Sequence, residues 1–109
     1  MERLDEYQQL TESTDIIQPG DRFSYYPLGL NGEAGEVADK MKKIIRDKQG
    51  RMTQEDRHAI ALELGDCMWY IARMSAFLGF PLSEIARMNI DKLQSRQQRD
   101  KLSGSGDYR

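Results

Sequence analysis

Two pairs of acidic residues are the first candidates for chemistry in this 109-residue chain. Glu33 and Glu36 form one pair, and Glu63 and Asp66 form the other. The i, i+3 spacing places both carboxylates of a pair on one face of a helix. Like charges this close repel unless a cation lies between them, and oxygen donors are the ligands that Mg²⁺ or Mn²⁺ prefers. The four carboxylates therefore predict a divalent-metal site between two helices.

A solvated helix face is the alternative interpretation of either pair, because Glu is common on exposed helices. The second pair, however, interrupts a helix that is otherwise apolar in its middle, where unpartnered carboxylates are costly to bury. The first pair lies among Gly29, Gly32 and Gly35, each of which costs roughly 1 kcal/mol relative to Ala inside a helix. We expect these glycines to let another helix or a ligand approach the backbone closely. The alternative is that Gly29 precedes the helix and the other two merely weaken its start.

Polar and basic side chains near the end of the chain complement these acids. Asn89, Lys92 and Arg96 share one helix face, which can bind a polyphosphate whose oxygens a metal also bridges, or can be a solvated basic face. Lys40 and Lys43 leave the same choice open, since they can reach phosphate or pair with acids on their own helix.

The single histidine, His58, argues against several other kinds of site. Ferritin-like di-iron centres use Glu-x-x-His on two helices, and zinc sites need His or Cys ligands. A Ser-His-Asp triad is not credible with one histidine expected at the surface, and the P-loop pattern is absent. Trp69 and Tyr70 can stack on a base, although aromatic residues at helical spacing more often belong to a core.

Four helices and no strand are predicted, which gives an all-α, four-helix bundle-like fold. The helices are expected from Arg3 to about Thr11, from about Pro27 to Lys48, from about Gln54 to Leu78, and from Ser83, as N-cap, to about Arg99. A loop is expected over 14–24. Thr53 is the expected N-cap of the third helix, and Gly50 and Gly79 follow helix ends, where glycine is favoured.

The third helix is apolar over most of its circumference, whereas the second is amphipathic. A helix that is apolar nearly all round should be buried nearly all round, and three other helices can hardly cover it in so small a domain. We therefore expect a homo-oligomer with the third helix central to the subunit contact.

Composition indicates one domain over residues 1–102 and a flexible, linker-like tail over 103–109. Sixteen basic and 18 acidic side chains leave a net charge of −2, which does not favour nucleic acid or a membrane as partner. Cys67 is the only cysteine, so a reducing compartment and a cytoplasmic location are expected. No signal peptide or membrane span is recognisable.

Three stretches together resemble the MazG-type nucleoside triphosphate pyrophosphohydrolases of the all-α NTP pyrophosphatase superfamily. They are Gly-Leu-Asn-Gly-Glu-Ala-Gly-Glu-Val-Ala-Asp (29–39), Glu-Leu-Gly-Asp (63–66) and Asn-Ile-Asp-Lys-Leu-Gln-Ser-Arg (89–96). The resemblance implies a helical bundle that forms a homodimer or a dimer of dimers. It implies Mg²⁺-dependent cleavage of a (deoxy)nucleoside triphosphate between its α and β phosphates, with a role in nucleotide-pool housecleaning; Mn²⁺ is a possible substitute.

Carried over residue by residue, the resemblance implies that the metal is held by Glu33, Glu36, Glu63 and Asp66. It implies that substrate is bound by Asn89, Lys92 and Arg96, and less firmly by Lys43. We expect Glu36 also to act as the catalytic group that orients or deprotonates the attacking water. A dUTPase or phosphoribosyl-ATP pyrophosphohydrolase on the same fold stays open as an alternative, as does a nonenzymatic helical interaction module. Base and sugar preference are not predicted.

Overall fold

The computed structural model describes residues 2–99, which form an all-α fold with no strand among them. Its four α-helices are α1 (Glu2–Thr11), α2 (Arg22–Lys48), α3 (Gln54–Leu78) and α4 (Leu82–Gln98). Two short 3₁₀ helices, Glu12–Thr14 and Pro19–Asp21, connect α1 to α2. The predicted tail over 103–109 lies outside the described residues. Across the described part of the chain, no helix is both long enough and apolar enough to cross a membrane.

The ends of α3 form as the sequence predicts. Thr53 accepts a hydrogen bond from the Asp56 backbone amide, and the Asp56 carboxylate accepts one from the Thr53 amide, which completes a capping box. Gly79 ends the helix at φ 85°, in the left-handed region that favours glycine. The turn after α2 is also left-handed, at Gln49 and Gly50, and the helix ends at Lys48, as predicted.

The start of α2 differs from the prediction, because the helix begins at Arg22 and contains Pro27. A proline removes one helical hydrogen bond, but tertiary contacts hold the turn before it. The Tyr26 ring is 1% exposed and packs edge-on against Phe77, and its hydroxyl donates to Asp15. Of the predicted loop over 14–24, residues 15–18 have no regular structure, whereas 19–21 form a 3₁₀ helix and 22–24 belong to α2.

The start of α4 also differs, because Ser83 lies inside the helix instead of capping it. The Ser83 amide and hydroxyl both donate to the Asp5 carboxylate, at 2.8 and 2.6 Å. The Leu82 amide donates to Gln8 Oε1 at 2.9 Å. Side chains of α1 thus satisfy the free amides of α4, which fixes the two helices together.

Burial within one chain is sparse. Among the described residues, the buried hydrophobic side chains are Tyr26, Ile44, Ala72 and Leu82. Most apolar side chains of α3 stay exposed, including Leu62 at 60% and Leu64 at 51%. The helix that was expected to be buried on all sides is therefore not covered by the described part of its own chain.

Candidate metal centre

Three of the four predicted carboxylates converge. Glu33 of α2 and Glu63 and Asp66 of α3 each offer one oxygen atom, and these three oxygens all lie within 4.8 Å of one another. Glu33 and Glu63 are half-buried, whereas Asp66 is exposed. We call this set the acidic cluster.

The antiparallel pairing of α2 and α3 creates the acidic cluster. Gly29 lies against Tyr70, the Lys40 ammonium lies 3.7 Å from Glu63, and Lys48 donates to Asp56 at 2.8 Å. Residues later in α2 thus contact residues earlier in α3, as in an antiparallel pair. Glu33, one helical turn after Gly29, consequently meets residues one turn before Tyr70.

Electrostatics in the cluster favour a cation. Partial burial raises the pKa of Glu33 above its ordinary value, and a hydrogen bond to the Glu63 carboxyl and the charges of Asp66, Glu63 and Glu36 raise it further. The direction of this shift reflects partial burial and repulsion among the carboxylates. A divalent ion would supply the missing positive charge directly, and oxygen donors from carboxylates are the set that Mg²⁺ or Mn²⁺ accepts. The three residues therefore fit such an ion.

Glu36 is exposed and lies outside the acidic cluster. Its charge nevertheless contributes to the raised pKa of Glu33, so the two carboxylates act on each other. The roles predicted for Glu36, as metal ligand and as the group that activates water, stay predictions.

A cleft of about 410 Å³ opens directly onto the cluster. Glu33 and Asp66 line one part of it, and Thr14, Trp69 and Tyr70 line the rest. The Tyr70 ring stacks near Tyr25 at a centroid distance of 6.5 Å and meets the Trp69 ring edge-on at 5.0 Å. The cleft thus combines oxygen donors for a cation with an aromatic wall, which suits a ligand that has both an anionic group and a flat ring.

Thr14 was not among the predicted site residues. Its hydroxyl accepts a hydrogen bond from Trp69 Nε1 at 2.7 Å and donates to the Thr11 carbonyl at 3.0 Å. The two residues are 55 positions apart, so no local pattern could have indicated the contact. Thr14 holds the Trp69 ring in place at the cleft.

A buried polar network supports this wall from behind. Arg73 Nε donates to Asp15 Oδ2 at 2.9 Å, and the two side chains are 9% and 1% exposed. Arg73 also donates to Thr11 Oγ1 at 3.4 Å, and Asp15 accepts from the Tyr26 hydroxyl and the Ile17 amide. Burial alone would raise the pKa of Asp15, but the hydrogen bonds from Tyr26 and Arg73 outweigh it and lower the pKa. The network fixes the segment between α1 and α2 onto α3.

The predicted close approach at the glycines is found at one position. A Cβ atom on Gly29 would lie 2.2 Å from Tyr70 Cε1, so only glycine leaves room for the ring. No described atom lies within 4 Å of a Cβ built on Gly32 or Gly35. Within the described chain, the closeness expected at those two glycines is therefore not observed.

The predicted substrate-binding residues lie away from the cleft of their own chain. Asn89 lines an apolar cavity of about 270 Å³ between α1, α3 and α4, and with Lys92 it lines another of about 440 Å³. Arg96 is buried, at 3% exposure. The Lys43 ammonium pairs with Asp39 at 2.7 Å on its own helix. None of the four is among the residues that line the cleft or form the acidic cluster, and their roles in substrate binding stay predictions.

Comparison with known proteins gives the family. Residues 23–99 match the model of the MazG nucleotide pyrophosphohydrolase domain. The chain belongs to the MazG family. It is also 46% identical over 108 residues to the Gene 37 protein of Mycobacterium phage L5, covering 93% of this chain and 95% of the phage protein. No solved structure gives a significant match. MazG domains are generally divalent-metal dependent, in agreement with the donor set of the acidic cluster.

Proposed function

We propose that this MazG-family chain hydrolyses (deoxy)nucleoside triphosphates between the α and β phosphates, in a Mg²⁺-dependent reaction that removes unwanted nucleotides from the cellular pool. The products are the nucleoside monophosphate and pyrophosphate. The observation that carries this proposal is the opening of the acidic cluster into an aromatic-lined cleft, within the stretch that matches the family.

In the proposed reaction, Glu33, Glu63 and Asp66 hold Mg²⁺, which supplies neutralisation of phosphate charge and activation of water. Trp69 and Tyr70 contact the base or sugar from the other side of the cleft. Glu36 lies one helical turn beyond Glu33, with its carboxylate open to solvent, and orients the attacking water in line with the departing pyrophosphate.

A second copy of the chain completes the proposed site. The support is the apolar surface that one chain leaves exposed on α3, including Leu62, Leu64 and Leu78 at 60%, 51% and 55%. Extensive exposed apolar surface marks interaction sites in soluble proteins. In a homo-oligomer, α4 of one copy can bring Asn89 and Lys92 toward the phosphates bound at another copy.

The reaction can be tested by incubating the protein with each common NTP and dNTP, with dUTP and with phosphoribosyl-ATP, and separating the products by chromatography. Monophosphate and pyrophosphate are expected, whereas diphosphate and orthophosphate would show that the wrong bond has been assigned. A signal on dUTP or phosphoribosyl-ATP alone would replace the housecleaning role. Absence of turnover with both Mg²⁺ and Mn²⁺ would favour a nonenzymatic interaction module.

Matched variants separate the roles of the carboxylates. Glu63→Gln should abolish both turnover and the rise in melting temperature that Mg²⁺ causes by binding the folded state. Glu55→Gln, the same change in the first turn of α3, should leave both unchanged. Glu36→Gln should abolish turnover and keep the Mg²⁺-dependent rise if Glu36 acts on water alone. Loss of both effects would make Glu36 a metal ligand as well.

A further inference from the structure

Glu63 lies between two partners of opposite character. On one side lies the Glu33 carboxylate, whose oxygen is within 4.8 Å of a Glu63 oxygen in the acidic cluster. On the other side the Lys40 ammonium lies 3.7 Å from Glu63 Oε1, and the two side chains are 35% and 19% exposed. Lys40 follows Glu33 by two helical turns, so both side chains project from α2 toward α3.

The other lysines of α2 are engaged elsewhere. Lys42 and Lys43 pair with Asp39 on their own helix, at 3.2 and 2.7 Å. Lys48 pairs with Asp56 near the opposite end of the α2–α3 pair. Among the ion pairs of the described residues, the one between Lys40 and Glu63 is the contact that joins a lysine to the acidic cluster.

We propose that Lys40 is the built-in counter-cation of the acidic cluster when no metal is bound, that a divalent ion displaces it from Glu63, and that the released ammonium then binds the outer phosphates of the substrate. This inference rests on the proposed function, and it assigns to Lys40 the phosphate contact that the family resemblance implied for Lys43. Lys40 would therefore oppose metal binding and favour phosphate binding.

Elementary electrostatics supports both halves of the exchange. A divalent ion bound by Glu63 would lie close to the ammonium, and the repulsion at about 5 Å in a largely solvated site, roughly halved by screening at physiological salt, corresponds to roughly a three- to tenfold loss of affinity. The side chain of lysine has a flexible four-carbon stem, so it can turn away from Glu63 without movement of α2. Polyphosphate oxygens next to the bound ion then provide the nearest uncompensated negative charge.

The test compares two binding equilibria in the purified full-length protein. The first is the affinity for Mn²⁺ without nucleotide, measured by titration calorimetry. The second is the affinity of the Mn²⁺-saturated protein for inorganic pyrophosphate. In Lys40→Met, the Mn²⁺ dissociation constant should fall about three- to tenfold, while the pyrophosphate dissociation constant should rise by a similar factor. A lysine with a merely structural role would not shift the two constants in opposite directions.

Two control variants accompany Lys40→Met. Lys40→Arg keeps the charge and should stay within about twofold of the unmodified protein in both assays. Lys42→Met removes an equivalent charge that is paired with Asp39 at 3.2 Å, and it should change neither constant.

Each result decides between the alternatives. An unchanged or weaker Mn²⁺ affinity in Lys40→Met would overturn the counter-cation role. Tighter Mn²⁺ binding with unchanged pyrophosphate affinity would overturn the transfer to phosphate. If the unmodified protein neither binds Mn²⁺ nor hydrolyses any nucleotide, the proposed function itself fails, so the two failures are distinguishable.

Discussion

Replacing Gly29 by alanine should disturb both the fold and the cleft. The new Cβ would lie 2.2 Å from Cε1 and 2.3 Å from Cζ of Tyr70, whereas ordinary van der Waals contact begins at 3.4 Å. The Tyr70 ring must then move by about 1 Å, and overpacking of this kind typically costs about 1–3 kcal/mol. Alanine recovers roughly 1 kcal/mol of helix propensity, which offsets part of that cost.

Comparison with Gly35→Ala isolates the clash, because Gly35 is helical as well and no described atom lies within 4 Å of its added Cβ. Urea unfolding at one protein concentration should find Gly35→Ala more stable than Gly29→Ala by about 1–3 kcal/mol. In a Tyr70→Ala background, the two alanine variants should have nearly equal stability. Equal stability of the two variants with Tyr70 intact would refute the argument.

Three further expectations follow from the polar groups. Asp15→Asn should destabilise the protein by about 3 kcal/mol in urea unfolding, because it leaves the buried Arg73 cation unpaired. In the control, Asp47→Asn removes the carboxylate of the exposed Arg46–Asp47 pair and should change stability by less than about 1 kcal/mol. The Lys48 ammonium and the Thr53 amide lower the pKa of Asp56 from 3.8 to about 2. The ionised Asp56 carboxylate therefore stabilises the fold fully above pH 3.8, and this stabilisation is lost as the pH falls through 2. Asp56→Asn should flatten this part of an acid unfolding curve, and an unchanged curve would contradict the assignment. Removal of Mg²⁺ with a chelator should lower the melting temperature of the unmodified protein, and an unchanged melting temperature would argue against a metal at the acidic cluster.

Local signals predicted the helices well where the determining groups are close in sequence. The capping box of Thr53 and the left-handed Gly79 are set by residues within one turn, so the bounds of α3 are confirmed. Pro27 and Ser83 misled the prediction because contacts from distant residues override local preference. Tyr26 binds Asp15, 11 residues away, and Ser83 binds Asp5, 78 residues away.

The site residues show the same contrast between local signals and contacts from distant residues. Helical spacing predicted one site of Glu33, Glu36, Glu63 and Asp66, and the structure groups three of these carboxylates but not Glu36. Spacing on one helix cannot specify how far another helix lies from it, so it gave no means of choosing between Lys40 and Lys43, or of finding Thr14. These details depend on the register of α2 against α3 and on the position of the 3₁₀ segment, which the alternation of apolar and polar residues does not encode.

The anchoring of α1 has a consequence for how a nascent chain matures. The Gln8 side chain donates to the carbonyls of Ala72 and Phe80 and accepts from the Leu82 amide, across 64 to 74 residues of sequence. A ten-residue helix is marginal alone, and α1 is synthesised before its partners, so it remains without these contacts until residues 72–82 have been added to the chain. The hairpin of α2 and α3, which carries the complete acidic cluster, pairs neighbouring segments and can form earlier. Helix α1 is therefore synthesised before the α2–α3 hairpin but docks after the hairpin has formed.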